Sequence, residues 1–212
     1  MMQKTSVIAL AILFGLALCG HAGTIVFQLN LPNGDMGTSH TFTQDGIKIV
    51  AYSYAIGGGS PPDLYGKNGG GDETGLGLTH DPDDEINSSD FVQMDFANPI
   101  SLKVSPVQFE MGSVQPGEGW ALYGSNTKGV LGTDLLNSNA LPAGSTPESL
   151  LTLPEFGDYR YYSWTATSKN VLLDEIVLTG DPDPAPEPGT MAATGAALIG
   201  LSLVLRRLHK PR

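Results

Sequence analysis

The stretch Ile47-Lys48-Ile49-Val50-Ala51-Tyr52-Ser53-Tyr54 decides the fold class of this chain. β-branched and aromatic residues dominate it, and its periodicity is two rather than 3.6, which is typical of a strand with one face on a core. Stretches of the same composition recur between segments rich in Gly, Pro, Asn or Asp, at residues 24–27, 91–96, 107–111, 159–164 and 171–178. We therefore predict an all-β domain over residues 23–180, an antiparallel β-sandwich of the jelly-roll or immunoglobulin-like kind.

Two segments of this domain lack the strand pattern. Residues 57–77 hold nine glycines in twenty-one positions, which predicts a long mobile loop. Thr146 can cap a helix and Pro147 suits its first position, so we expect one helical turn that ends at Leu151.

Charge narrows the classes of partner. The chain has 212 residues with eleven Lys and Arg against twenty-two Asp and Glu, a net charge of −11. Residues 23–187 carry all twenty-two acidic residues and only six of the basic ones. A nucleic-acid binder needs a basic footprint, so we expect no nucleic-acid partner.

The N-terminus has the features of a secretory signal peptide over residues 1–22. Lys4 precedes an uncharged apolar run at residues 7–18, and Gly20-His21-Ala22 supplies small residues for cleavage by signal peptidase. The alternatives are a first core helix, a membrane anchor, or a lipoprotein acylated at Cys19. Cleavage after Ala22 removes Cys19, the only cysteine, and leaves an exported domain without disulfides.

The C-terminus predicts a membrane anchor in three parts. Residues 181–188 place a proline at every second position, which favours an extended linker. Residues 189–205 are uncharged and predict a transmembrane helix, with a core helix as the alternative. The basic tail, residues 206–212, orients the C-terminus to the cytoplasm and the domain to the outside. Its charges are Arg206, Arg207, Lys210 and Arg212.

This tail resembles the PEP-CTERM sorting signal of exported bacterial surface proteins. The residues that carry the resemblance are Pro186, Glu187, Pro188 and Thr190, followed by the apolar helix and the Arg-rich end. The resemblance implies an inner-membrane-anchored precursor that an exosortase-type enzyme cuts. It also implies a destination at the cell envelope surface or in an extracellular biofilm matrix.

Parts of the domain also resemble PEP-CTERM ectodomains, although more loosely. These are residues 75–78 leading to residues 84–86 and 91–96, then residues 120–126, and finally residues 171–176. The last of them is similar to the final strand of jelly-roll carbohydrate-binding modules. The resemblance implies a sandwich rather than a particular ligand.

An acidic segment is the candidate metal site. Clustered oxygen ligands suit Ca²⁺, and alternate positions of an extended chain can direct them to one side. The alternative is a solvated acidic loop. The candidate calcium ligands are Asp81, Asp83, Glu85, Asn87 and Asp90.

Aromatic residues are the candidate ligand platform. Tyr123 and Tyr161 are the residues we predict to stack on a sugar, whereas Trp120 and Trp164 fit the core of a sandwich. Tyr161 and its neighbour Tyr162 must point to opposite faces of a strand.

Catalysis has little support in the sequence. His40 and His80 are the only histidines of the exported region, and no nucleophile–base pattern such as G-x-S-x-G is present. We therefore predict a non-enzymatic surface or matrix protein with a structural or adhesive role, and polysaccharide as its candidate ligand. The alternative is a secreted hydrolase of extracellular polymers, with a glycosidase pair of carboxylates.

Overall fold

The computed structural model describes residues 23–71, 73–79, 83–140 and 149–180. Several predictions fall outside these residues: the signal peptide (1–22), Asp81, the Pro-rich linker (181–188), the transmembrane helix (189–205) and the basic tail (206–212). Within the described ranges, no helix has the length and apolar character needed to cross a membrane.

The described residues form thirteen strands and one short helix. In chain order the strands are β1 (Thr24–Gln28), β2 (Gly34–Asp35), β3 (Ser39–Gln44), β4 (Ile47–Ala55), β5 (Leu64–Asn68), β6 (Thr74–Leu78), β7 (Asp90–Asp95), β8 (Val107–Met111), β9 (Gly119–Ser125), β10 (Asp134–Ala140), β11 (Leu151–Thr152), β12 (Tyr161–Ser168) and β13 (Leu173–Thr179). The helix, α1 (Ala97–Ser101), follows β7.

All strand pairs of the two sheets are antiparallel. One sheet has seven strands in the order β11-β8-β13-β6-β5-β2, with β1 also paired to β13. The other has six strands in the order β10-β9-β12-β7-β4-β3. The prediction of an all-β, antiparallel domain is confirmed.

The two sheets share one core. Phe109 of the seven-stranded sheet makes edge-to-face contacts with Trp120 and Trp164 of the six-stranded sheet, at ring-centroid distances of 5.5 and 5.6 Å. Both tryptophans are fully buried, as expected from their place in strand patterns. This face-to-face packing is compatible with a β-sandwich.

The stretch that opened the sequence analysis shows why the sheets form. Along β4, Ile47, Ile49 and Ala51 are buried in the core, while Lys48 and Tyr52 point to the opposite, outer face. The period of two therefore places one row of apolar side chains on the core, as expected.

The glycine-rich segment is a hairpin, so the prediction of a long loop over residues 57–77 was wrong. β5 and β6 pair along their whole length there. Two of its glycines mark close backbone approaches rather than flexibility. A Cβ on Gly66 would lie 2.2 Å from the Pro32 carbonyl oxygen, and one on Gly77 would lie 1.9 Å from that of Asp84.

The predicted helical turn at residues 146–151 was misplaced. Leu151 belongs to strand β11, and residues 146–148 lie outside the described residues. The helix that does form, α1, begins where the Asp95 carboxylate accepts a hydrogen bond of 2.9 Å from the Ala97 amide. Pro99 is tolerated there because the first-turn N–H groups of a helix have no intrahelical partner.

Candidate functional site

The described residues of the acidic segment do not gather their side chains at one point. Glu85 bonds to Lys67, whereas Asn87 Oδ1 accepts a 2.7 Å hydrogen bond from the Ser89 amide and so caps its own turn. Asp90 begins β7 and is 2 % exposed, and its Oδ2 has no hydrogen-bond partner among the described residues. Asp83 lies in the same pocket as Glu85.

The calcium site remains a prediction. In the part of the chain that the structure describes, no three His, Cys, Asp or Glu side chains are grouped so that they could hold a metal ion. Asp81, one of the five predicted ligands, lies outside that part. The described geometry therefore gives the calcium prediction no support.

Glu85 instead belongs to a charged pocket of about 560 Å³ at one end of the sheets. The backbone of its neighbour Ile86 exchanges hydrogen bonds of 2.9 and 3.0 Å with Val171, which fixes the segment against the chain two residues before β13. On the other side, Gly77 leaves room for the backbone of Asp84. These two contacts turn the Glu85 carboxylate toward β5.

Lys67 joins two glutamates inside this pocket. Its Nζ donates hydrogen bonds of 2.5 Å to Glu85 Oε1 and 2.7 Å to Glu73 Oε2. Ser113 Oγ donates a 3.0 Å bond to the other oxygen of Glu73, and Gln115 Nε2 donates to that oxygen too. Four separate segments are thereby tied together at this end of the fold.

The two glutamates titrate in opposite directions. The hydrogen bond from Lys67 lowers the pKa of Glu73 to about 2. Burial raises the pKa of Glu85 to about 7, although Lys67 works against this shift. Burial also tends to lower the pKa of Lys67, but its bonds to Glu73 and Glu85 outweigh that effect and raise it.

The same geometry bears on acid–base chemistry. A glycosidase places its two carboxyl groups roughly 5 to 9.5 Å apart, with the scissile bond between them. Here one oxygen of Glu73 and one of Glu85 each lie within 2.7 Å of the Lys67 ammonium group. Both carboxylates therefore hydrogen-bond the same ammonium group, and the arrangement is that of a partly buried ion-pair cluster.

The predicted platform lies on the outer face of the six-stranded sheet. Tyr123 and Tyr161 share this face, because Tyr123 pairs with Ser163, two residues along β12 from Tyr161. Tyr162 points into the core and is fully buried, as the alternation of a strand requires. Tyr161 itself is only 6 % exposed, and the Arg160 guanidinium lies 4.9 Å from the centre of its ring.

The more exposed tyrosines of this face are on β4. Tyr52 and Tyr54 are both half-buried, with ring centroids 6.4 Å apart. Tyr54 stacks on the buried ring of Phe91 at 5.2 Å and lines a cleft of about 330 Å³. Leu131 and a glycine-rich turn at residues 57–59 form other walls of this aromatic cleft.

A strap formed by residues 126–131 crosses the outer face. The buried amide of Gln93 holds it, since Gln93 Nε2 donates 2.9 Å to the Val130 carbonyl and Gln93 Oε1 accepts 2.8 Å from the Gly129 amide. The strap also carries Lys128, whose Nζ lies 3.6 Å from the centre of the Tyr52 ring. A cation, a phenol ring and an open cleft thus lie side by side.

Sequence reasoning named Glu85 as a calcium ligand but missed its pairing with Lys67, and it missed the tyrosines of β4. The signal for the tyrosines was present, since Lys48, Tyr52 and Tyr54 share one face under a period of two. Of the two histidines, His40 packs against Phe42 at 4.8 Å, and His80 lies outside the described residues.

The sorting residues Pro186, Glu187, Pro188 and Thr190 and the basic residues Arg206, Arg207, Lys210 and Arg212 also lie outside the described residues. Comparison with known proteins adds no assignment to these observations. No protein-family model matches the chain, and no curated protein matches it significantly.

Proposed function

We propose that this chain is an exported, membrane-tethered surface or matrix protein of the PEP-CTERM type, with a structural or adhesive role and polysaccharide as its ligand. The observation that supports a polysaccharide ligand is the pair of half-buried tyrosines, Tyr52 and Tyr54, beside an open cleft on the outer face of a sheet. Aromatic faces of this kind bind the apolar side of a sugar ring while nearby polar groups satisfy its hydroxyls.

A finer fold assignment accompanies this proposal. We assign the two sheets to a β-sandwich of the jelly-roll or immunoglobulin-like kind. The support is the single core between them and the place of β12 between β7 and β9, strands from distant parts of the chain. Such a sandwich presents broad outer faces and loop ends, on which ligand sites are grafted.

The ligand part of the proposal predicts binding that depends on Tyr52. We expect the full-length protein, purified in a mild detergent, to be retarded in native gels that contain a soluble polysaccharide. Tyr52→Ala should weaken that binding about fivefold, equivalent to about 1 kcal/mol for one aromatic contact. Tyr65→Ala is the matched control, because Tyr65 is also half-buried but belongs to the seven-stranded sheet. If no polysaccharide in a panel of neutral and acidic polymers retards the protein, the ligand part of the proposal is wrong.

The sorting part predicts proteolytic processing at the tail. In the native cell, mass spectrometry should find a mature protein without residues 1–22 and without the basic tail. Replacing Pro186 and Glu187 together with alanine should leave the C-terminal part uncut and the protein in the membrane fraction. Replacing Pro182 and Asp183, in the same linker but outside the motif, is the control. Unchanged processing of the Pro186/Glu187 variant would contradict the assignment.

A secreted hydrolase is the second candidate, and one observation favours it. Glu73 and Glu85 meet in a pocket with pKa values of about 2 and about 7, the kind of separation that acid–base pairs show. The Lys67 ammonium hydrogen-bonds both carboxylates, and this ion pairing argues against an acid–base role for them. The non-enzymatic function is therefore the one we propose.

A further inference from the structure

Positive charge is concentrated on the outer face of the six-stranded sheet. Residues 23–180 contain six Lys and Arg, and three of them, Lys48, Lys128 and Arg160, lie on or over this face. Among the described strands of the sheet, Asp95 is the one carboxylate on the outward side, since Asp90 alternates with the outward Phe91. This distribution runs against the acidic character of the rest of the domain.

The three cations follow the outward row of β4. That row contains Lys48, Val50 and Tyr52, and successive members of such a row are about 7 Å apart. Val50 pairs with Asp95, which accepts two hydrogen bonds from Arg160 at 2.9 and 2.6 Å. The Lys128 ammonium group lies over Tyr52. We call the surface formed by Lys48, Tyr52, Lys128 and Arg160 the basic face.

The basic face has unneutralised charge. Asp95 compensates Arg160, but neither Lys48 nor Lys128 has a carboxylate within 4.0 Å among the described residues. Both lysines are exposed, and half of the Arg160 side chain is exposed as well. An anionic partner could therefore form ion pairs with Lys48 and Lys128 without breaking an existing ion pair.

Hydroxyl groups border the outward row of β4. Thr43 pairs with Lys48 and Thr41 with Val50 on the neighbouring strand β3, and both threonines are exposed. A sugar polymer offers hydroxyls to such a row, a ring to Tyr52 and, where it contains uronic acid, carboxylates to the lysines. An acidic peptide matches the cations but uses neither the hydroxyl row nor the phenol ring.

We propose that the basic face binds an acidic polysaccharide, one whose sugars carry carboxylates. This inference rests on the proposed function and specifies its ligand class. Contact with the polymer places sugar carboxylates on Lys48 and Lys128, and a sugar ring on the part of Tyr52 that Lys128 leaves exposed. Arg160 lies beside them but adds no net charge, because its guanidinium is paired with Asp95.

The test uses polygalacturonate as the acidic probe, dextran as the neutral probe and poly-L-glutamate as the acidic peptide. We expect the full-length protein in detergent to bind polygalacturonate in 50 mM NaCl, and binding to weaken strongly in 500 mM NaCl because salt screens exposed charges. Lys48→Gln with Lys128→Gln should raise the Kd about tenfold, at somewhat under 1 kcal/mol for each exposed charge. Lys169→Gln is the matched control, because Lys169 is an exposed lysine that bonds to the Pro116 carbonyl in the charged pocket.

The outcomes separate this inference from the proposed function. Salt-insensitive binding of dextran as tight as that of polygalacturonate would overturn the acidic ligand while leaving polysaccharide binding intact. Poly-L-glutamate binding as tightly as polygalacturonate, with no loss in Tyr52→Ala, would overturn it in favour of an acidic peptide. Failure to bind either sugar polymer would remove both proposals. Preferential, salt-sensitive binding of polygalacturonate that the double variant loses would support it.

Discussion

Replacing Lys67 with methionine is expected to lower the free energy of unfolding by about 3 kcal/mol at pH 7. Lys67 is the shared partner of Glu73 and Glu85, and the side chain of Glu85 is only 7 % exposed. Removing one partner of a buried ion pair leaves an uncompensated charge, which costs about 3 to 5 kcal/mol. We choose the lower end because the Glu73 side chain is about one third exposed. Urea unfolding followed by circular dichroism measures the change.

The pH dependence of stability identifies the cause of this loss. In the wild type, the raised pKa of Glu85 means that the folded state holds its proton more tightly than the unfolded state does. Stability therefore falls as the pH rises from about 4.5 to about 7. The lowered pKa of Glu73 has the opposite sign, so stability rises between about pH 2 and 4.5. The contribution of the two glutamates to the free energy of unfolding is therefore largest near pH 4.5.

Lys67→Met should cost more at pH 8 than at pH 4, because Lys67 has two ionised partners at the higher pH and only Glu73 at the lower. Glu85→Gln is the control, since it removes the buried charge and should flatten the decline between pH 4.5 and 7. In the double variant, Glu85→Gln should recover part of the stability lost by Lys67→Met. A Lys67→Met variant with the same cost at both pH values would contradict the ion-pair account.

The strands that follow a period of two were predictable from sequence. Residues 47–54 and 107–111 match β4 and β8 almost residue for residue, because their buried rows are apolar and their flanks carry Gly, Pro or Asp. The predictions for β12 and β13 began two residues early. In both cases a turn or an isolated bridge comes directly before the strand. The composition of those preceding residues does not distinguish them from strand residues.

The glycine-rich hairpin was not predictable by the same reasoning. Its glycines weaken every strand signal, yet Gly66 and Gly77 are needed because other backbone segments pack directly on the strands. Such contacts join residues that are distant in the chain. They follow from the sheet topology, which the local pattern does not contain.

The charged pocket was hidden for a related reason. Glu85 was visible as part of an acidic run, and a run of this kind suggests repulsion that a cation relieves. The structure supplies a cation from the chain itself, Lys67, from the adjacent hairpin. Only the order of β5 and β6 in the seven-stranded sheet brings that lysine to the acidic segment.

Replacing Gly77 with alanine is the second change for which we expect a large effect, a loss of about 3 kcal/mol in the free energy of unfolding. The added Cβ would lie 1.9 Å from the Asp84 carbonyl oxygen and 2.9 Å from the Glu85 Cα. Overpacking typically costs about 1 to 3 kcal/mol. We choose the upper end because the three atoms nearest the added Cβ are all backbone atoms of Asp84 and Glu85, a segment held by the Ile86–Val171 bridge.

The position of Gly77 also links packing to electrostatics. If Asp84 and Glu85 move away to make room, Glu85 leaves Lys67 and becomes more exposed, so its pKa should return toward the ordinary value. The Gly77→Ala variant should then be less stable and should also lack the decline in stability between pH 4.5 and 7. Gly58→Ala is the matched control, because Gly58 has open space around its Cβ position but a φ of +86°. Its cost should be about 1 kcal/mol, from backbone conformation alone. A Gly77→Ala variant as stable as Gly58→Ala, with the decline intact, would show that the acidic segment does not pack on β6 and that Glu85 reaches Lys67 in some other way.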